Sequence, residues 1–139
     1  MFSVLAAPAA CAAHQSGRPA SPSISDPQAF VCRAFVRPNV QDQPKPLDEI
    51  RISKPANRSV NSGAFRFRVL YWDDPYEGRA LTTYVYSEST KKLIEKSLFQ
   101  LDRQKGPVNQ FSGGHGFTGL RYVYAPDSAA ELQYFCTYV

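Results

Sequence analysis

Two sets of residues in this chain have side chains suited to acting on another molecule. The first centres on His115, held in Gly113-Gly114-His115-Gly116-Phe117-Thr118-Gly119. An imidazole titrates near neutral pH, and flanking glycines leave it accessible, so His115 is a weak candidate general acid or base. With Asp73 or Asp74 as its carboxylate partner, it would make a small hydrolase or lyase site beneath the Gly113–Gly119 loop. No nucleophile is spaced to complete a triad. The second set is aromatic: Trp72, Tyr76, Tyr84, Tyr86, Tyr122 and Tyr124. Tyr84 and Tyr86 share one face of an extended strand, as do Tyr122 and Tyr124. If those two faces meet, they form one Tyr-rich surface. Tyr and Trp bring large rigid rings with a polar atom and are residues of binding interfaces. Together with His115 they are the predicted binding residues.

Other chemistries fit less well. Gly114-x-Gly116-x-x-Gly119 matches the bare dinucleotide-site string, but it leads into strand-like Leu120–Val123 rather than a helix. The Gly-Lys-Ser/Thr ending of a phosphate loop is absent. Four glycines at 113, 114, 116 and 119 instead predict positive φ or a close backbone approach, as in a hairpin or bulge. Asp73-Asp74 with Glu77 offers oxygen ligands to a hard cation, but an Asp-Pro turn accounts for it. With 2 His, 3 Cys and neither a CxxC nor an HExxH pattern, no zinc site is expected. The expectation is therefore no metal and no cofactor.

The net charge of +4 and pI near 9.1 are mildly basic. No run of Lys or Arg exceeds the pair Lys91-Lys92, so nucleic acid is not an expected partner. No apolar stretch approaches the ~20 residues of a membrane span.

The start of the chain is small and apolar, from Phe2 to Ala13, and Ala10-Cys11-Ala12 matches a signal-peptidase site. The charged segment that normally precedes such a site is missing, so a flexible Ala-rich terminus is the competing reading. His14–Asp26 is rich in Ser and Pro and reads as a linker. Residues 1–27 are thus a signal-like or flexible segment, and 28–139 a single β-rich domain. Once the first dozen residues are removed, Cys32 and Cys136 remain. An even count in an exported chain favours a disulfide between them, over two buried thiols. It would close about 100 residues and constrain the unfolded chain by at most about 4.7 kcal/mol.

The elements that position these residues read as strands. In Ala29–Val36, the residues Phe30, Cys32, Ala34 and Val36 form an apolar face; in Glu131–Val139, Leu132, Tyr134, Cys136 and Tyr138 do the same. Ala64–Trp72 is the clearest strand: Phe65, Phe67, Val69 and Tyr71 face one way, and Arg66, Arg68, Leu70 and Trp72 the other. Ala80–Tyr86 follows a turn. Lys54–Gly63 is expected to be a loop. Ser87–Asp102 is ambiguous, because Leu93, Ile94, Leu98 and Leu101 would also share a helical face. An internal echo favours a hairpin. Tyr84-Val85-Tyr86, a six-residue linker and a run of nine recur 38 residues later as Tyr122-Val123-Tyr124, Ala125–Ala130 and Glu131–Val139.

The predicted fold is all-β, or a β-dominated α+β arrangement: a small antiparallel β-sandwich or partly closed barrel behind a flexible N-terminal segment. The leading functional expectation is an exported non-enzymatic domain (secreted, periplasmic or on the cell surface). It would bind a protein partner or a surface polymer, or join a homo-oligomer or larger assembly, through Tyr-rich faces and sheet edges.

Overall fold

The computed structural model describes residues 29–76, 78–101 and 114–139. The signal-like segment, Cys11, Glu77 and Gly113 lie outside the described residues. Nine strands appear in chain order: β1 (Phe30–Arg37), β2 (Lys45–Pro46), β3 (Ile50–Ile52), β4 (Ala56–Asn61), β5 (Phe65–Asp74), β6 (Gly78–Ser87), β7 (Leu93–Gln100), β8 (Arg121–Tyr124) and β9 (Glu131–Tyr138). No helix occurs among the described residues.

The strands make two antiparallel sheets. The first runs β2-β1-β9-β8, with β3 also pairing to β1; the second runs β4-β5-β6-β7. They pack face to face as a sandwich and do not close into a barrel. Strand parity builds the core. Phe65, Phe67, Val69 and Tyr71 of β5 are buried, and they face Phe30, Cys32, Leu132, Tyr134 and Cys136 of the other sheet. Aromatic pairs cross the gap: Phe67 meets Tyr134 at 4.8 Å between ring centroids, and Phe30 meets Tyr71 edge-on at 4.9 Å.

Over the described part of Ser87–Asp102, which ends at Leu101, the structure contains the hairpin. A helix there would bury its apolar stripe but leave β6 without its second neighbour. As strand β7, the segment pairs with β6 from Ala80↔Gln100 to Tyr86↔Leu93, with a bulge at Val85/Tyr86. The two echoed hairpins meet at their turns, where the Ser89 hydroxyl donates to Asp127 Oδ2 at 2.6 Å. One expectation fails: Lys54–Gly63 is not all loop, because Ala56–Asn61 forms edge strand β4 against β5. Its residues, Ala-Asn-Arg-Ser-Val-Asn, have little β propensity of their own. Ladder bonds to β5 and the contact of Val60 with the core supply what local preference does not.

β1 and β9 pair over their whole length with Cys32 directly opposite Cys136. Both cysteines are buried and joined by a disulfide across a sequence separation of 104. A buried disulfide is consistent with an extracellular location. Urea unfolding with and without reductant should separate by about 2–4 kcal/mol, with the oxidised protein more stable. Coincident curves would show that the bond contributes nothing.

Candidate functional site

The outer face of the second sheet collects one side of β5, β6 and β7. Inward burial of Phe67, Val69 and Val85 turns Arg66, Arg68, Leu70 and Trp72 of β5 outward, with Thr82, Tyr84 and Tyr86 of β6 beside them. Register adds Lys96 opposite Tyr84 and Leu98 opposite Thr82. Leu70, Trp72, Thr82, Tyr84, Lys96 and Leu98 line a shallow open cleft of about 290 Å³. The Trp72 indole N–H donates to Thr82 Oγ1 at 3.2 Å, which orients the ring. Leu98 is 54% exposed in this patch, and Tyr84 and Tyr86 are half-buried.

Cations and rings alternate along this face. Lys96 Nζ lies 5.7 Å from the Tyr84 centroid, the Arg68 guanidinium 4.7 Å from the same ring, and the Arg66 guanidinium 6.0 Å from Tyr86. Tyr84 and Tyr86 are near-parallel at 6.2 Å. Arg68 is held further by donating from Nε to Asn57 Oδ1 at 2.8 Å and from Nη1 to the Tyr86 hydroxyl at 3.4 Å.

Tyr122 and Tyr124 are elsewhere. Val123 between them is buried, so both rings point outward from the first sheet and are about half exposed. The two Tyr faces therefore do not meet, and the condition for a single Tyr-rich surface is not fulfilled. Alternation places each Tyr pair on the solvent side of its own sheet, and the core lies between them. Tyr76 belongs to neither face. It is 85% exposed in the turn after β5, where its amide donates to Asp74 Oδ1 at 2.7 Å.

His115 also sits on the first sheet. Its ring meets Phe135 edge-on at 5.1 Å, and Phe135 stacks with Phe35 at 6.4 Å. The loop is anchored beside β9: the Phe117 amide donates to the Cys136 carbonyl at 3.1 Å, and the Cys136 amide donates to Thr118 Oγ1 at 2.8 Å. Asp74, at the end of β5, has the parity of the second sheet's outer face. The glycine expectation holds at Gly116. It has φ of 68°, and an added Cβ would run into the Cys136 carbonyl and the Thr137 methyl. Among the described residues, no three His, Cys, Asp or Glu side chains are placed to share a metal ion.

Two polar clusters were not anticipated from the sequence. On the outer face of the first sheet, Glu131 is 1% exposed and accepts two bonds from Arg37, Nε to Oε1 at 2.9 Å and Nη2 to Oε2 at 3.1 Å, plus one from Gln133 at 2.5 Å. Burial pushes the Glu131 carboxyl up, but the Arg37 and Gln133 bonds, the Arg37 charge and a bond from Tyr124 outweigh it. They hold the group below the usual carboxylate range. Between the sheets, the buried Tyr134 hydroxyl shares a 2.8 Å bond with Thr83 Oγ1 and reaches Glu95 Oε1 at 3.2 Å. Arg121 Nη2 donates to both Glu95 Oε1 and Ser97 Oγ at 3.2 Å. Burial raises the Tyr134 phenol above its ordinary value, so it stays protonated as a donor. Only pairwise register reveals these clusters; for the outer patch, the Arg66–Arg68–Leu70–Trp72 alternation was the available signal.

Comparison with family profiles, with curated proteins and with solved structures finds no significant match. Among the described residues no helix is long and apolar enough to cross a membrane.

Gly116→Ala should destabilise the fold by more than about 1 kcal/mol, because both φ and space oppose a methyl there. An unchanged thermal midpoint would contradict the close approach to β9. The Arg37–Glu131 pair generates a pH signature. Its carboxyl is depressed, so its stabilisation is fully present above the ordinary Glu value of 4.5 and is lost as pH falls through the folded value. In Arg37→Met, the Arg37 bonds and charge that lower this carboxyl are lost, so the penalty should be largest near neutral pH and shrink in acid. Urea midpoints for both proteins between roughly pH 3 and pH 7 test this; a pH-independent difference would refute it.

Proposed function

We propose that this chain is an exported, non-enzymatic β-sandwich that binds a protein partner or a surface polymer through the outer face of its second sheet. The observation that carries this reading is the Trp72–Tyr84–Leu98 patch. It combines half-exposed rings and an exposed leucine in one shallow cleft, with cations at its margin. Large apolar side chains left on a solvent face, oriented by hydrogen bonds and ring contacts, are characteristic of interaction surfaces. Flat sheet faces of this kind suit extended partners better than enclosed small molecules. The buried Cys32–Cys136 bond supports a place outside the reducing cytosol.

The test is an array of glycans and exported proteins, probed with the wild-type domain and with Tyr84→Ser, Leu98→Asp and His115→Ala. Ligands retained by the wild type should be lost, by roughly tenfold or more in affinity, from the first two variants and kept by the third. Equal retention by all the proteins would overturn this face as the binding surface. A bound molecule that is turned over, with turnover abolished by His115→Ala, would favour the hydrolase or lyase reading instead.

A further inference from the structure

Resting on that binding face, we propose that its ligand is an acidic carbohydrate polymer, a chain of sugar rings bearing carboxylate or sulfate groups. The charge on the face is one-sided. Its outward positions are Asn57, Ser59 and Asn61 on β4, Arg66 to Trp72 on β5, Ala80 to Tyr86 on β6 and Lys96 to Gln100 on β7. Three of these are cations and none is a carboxylate. The next residue of that parity, Asp74, stands at the end of β5 beside the Tyr76 amide. The first sheet is different: there Arg37 is neutralised by Glu131 and Arg33 by Glu49 at 2.8 Å.

The cations of the second sheet are also pre-positioned. Lys96, Tyr84, Arg68, Tyr86 and Arg66 form a ladder across three strands, with each charged group close to a ring. Arg68 spends one N–H on Asn57 and one on Tyr86, which leaves guanidinium donors for an incoming anion. A guanidinium already fixed against a ring loses little freedom when it binds, and its planar fork matches a carboxylate or sulfate.

The rings decide between polyanions. Single-stranded nucleic acid is bound by stacking bases on open aromatic faces. Here Tyr84 already lies against Arg68 and Lys96, and Tyr86 against Arg66. What remains is the Trp72, Leu70 and Leu98 floor of an open cleft, which offers an apolar surface to the C–H face of a sugar. The acidic groups of the same polymer then reach the neighbouring cations. A neutral glycan would leave those cations unmatched.

Trp72 is the only tryptophan of the chain and lines the cleft, so its fluorescence reports binding at this place. The full-length, disulfide-bonded protein is titrated with a uronate oligosaccharide, a sulfated oligosaccharide, the methyl-esterified neutral form of the uronate and an oligothymidylate. A saturable change with the uronate or the sulfated chain is expected, weakened by salt and at least tenfold weaker with the neutral ester. Arg68→Gln and Lys96→Gln should each weaken it by roughly tenfold while leaving the thermal midpoint near wild type. Equal response to the neutral ester would overturn the acidic class while leaving the binding face intact. A response confined to oligothymidylate would replace carbohydrate with nucleic acid. Silence with both acidic glycans overturns the proposal, and the array screen then decides separately whether the face binds anything.

Discussion

Everything in this sandwich depends on the pairing of β1 with β9. These strands come from opposite ends of the described chain, and their ladder runs unbroken from Phe30↔Tyr138 to Arg37↔Glu131. Bringing such distant segments together is entropically unfavourable, and no local turn assists it. Three interactions hold the pair. The Cys32–Cys136 bond limits how far the strands separate even in the unfolded chain. Phe30, Leu132 and Tyr134 bury against the second sheet. At one end, the Arg37–Glu131 pair closes the ladder on the solvent side. Removing this pairing would split the first sheet into β1 with β2 and β3 on one side and β9 with β8 on the other.

With β9 in the middle of the first sheet, strand alternation assigns every other side chain to the core. The interior is mostly aromatic and aliphatic, but not wholly so. Thr83, Tyr134, Glu95, Ser97 and Arg121 form a polar seam between β6 and β7 on one side and β8 and β9 on the other. Every buried side-chain polar atom among the described residues has a partner. A satisfied seam adds direction to a core that hydrophobic burial alone would leave free to slide.

The two outer faces diverge in chemistry. On the first sheet, cations meet carboxylates, and aromatic contacts run from His115 to Phe135 to Phe35. On the second, Arg66, Arg68 and Lys96 are opposed by rings rather than carboxylates. Ring contacts place a cation without cancelling its charge, so the field of this face remains available to a ligand. That contrast is why we propose the second sheet, rather than the first, as the binding surface.

Much of the framework was legible from residue order. The alternation of Phe65, Phe67, Val69 and Tyr71 is local and periodic, and it names both the strand and its buried side. The same parity in Phe30–Val36 and Leu132–Tyr138 turns Cys32 and Cys136 inward, and the echo of Tyr-Val-Tyr marks two hairpins. Strand β4 was not legible, because Ala56–Asn61 becomes a strand only through the neighbour it pairs with. Nor was the partition of the tyrosines. Sequence alternation states which residues share a side of one strand, but not which strands share a sheet. The site lies in that gap: Trp72, Tyr84 and Leu98 come from three strands, and only their register brings indole, phenol and leucine to one cleft. Local pattern determined strands and their faces, because side-chain direction repeats every two residues. Tertiary structure decided which faces meet, because that depends on long-range pairing that no local period encodes.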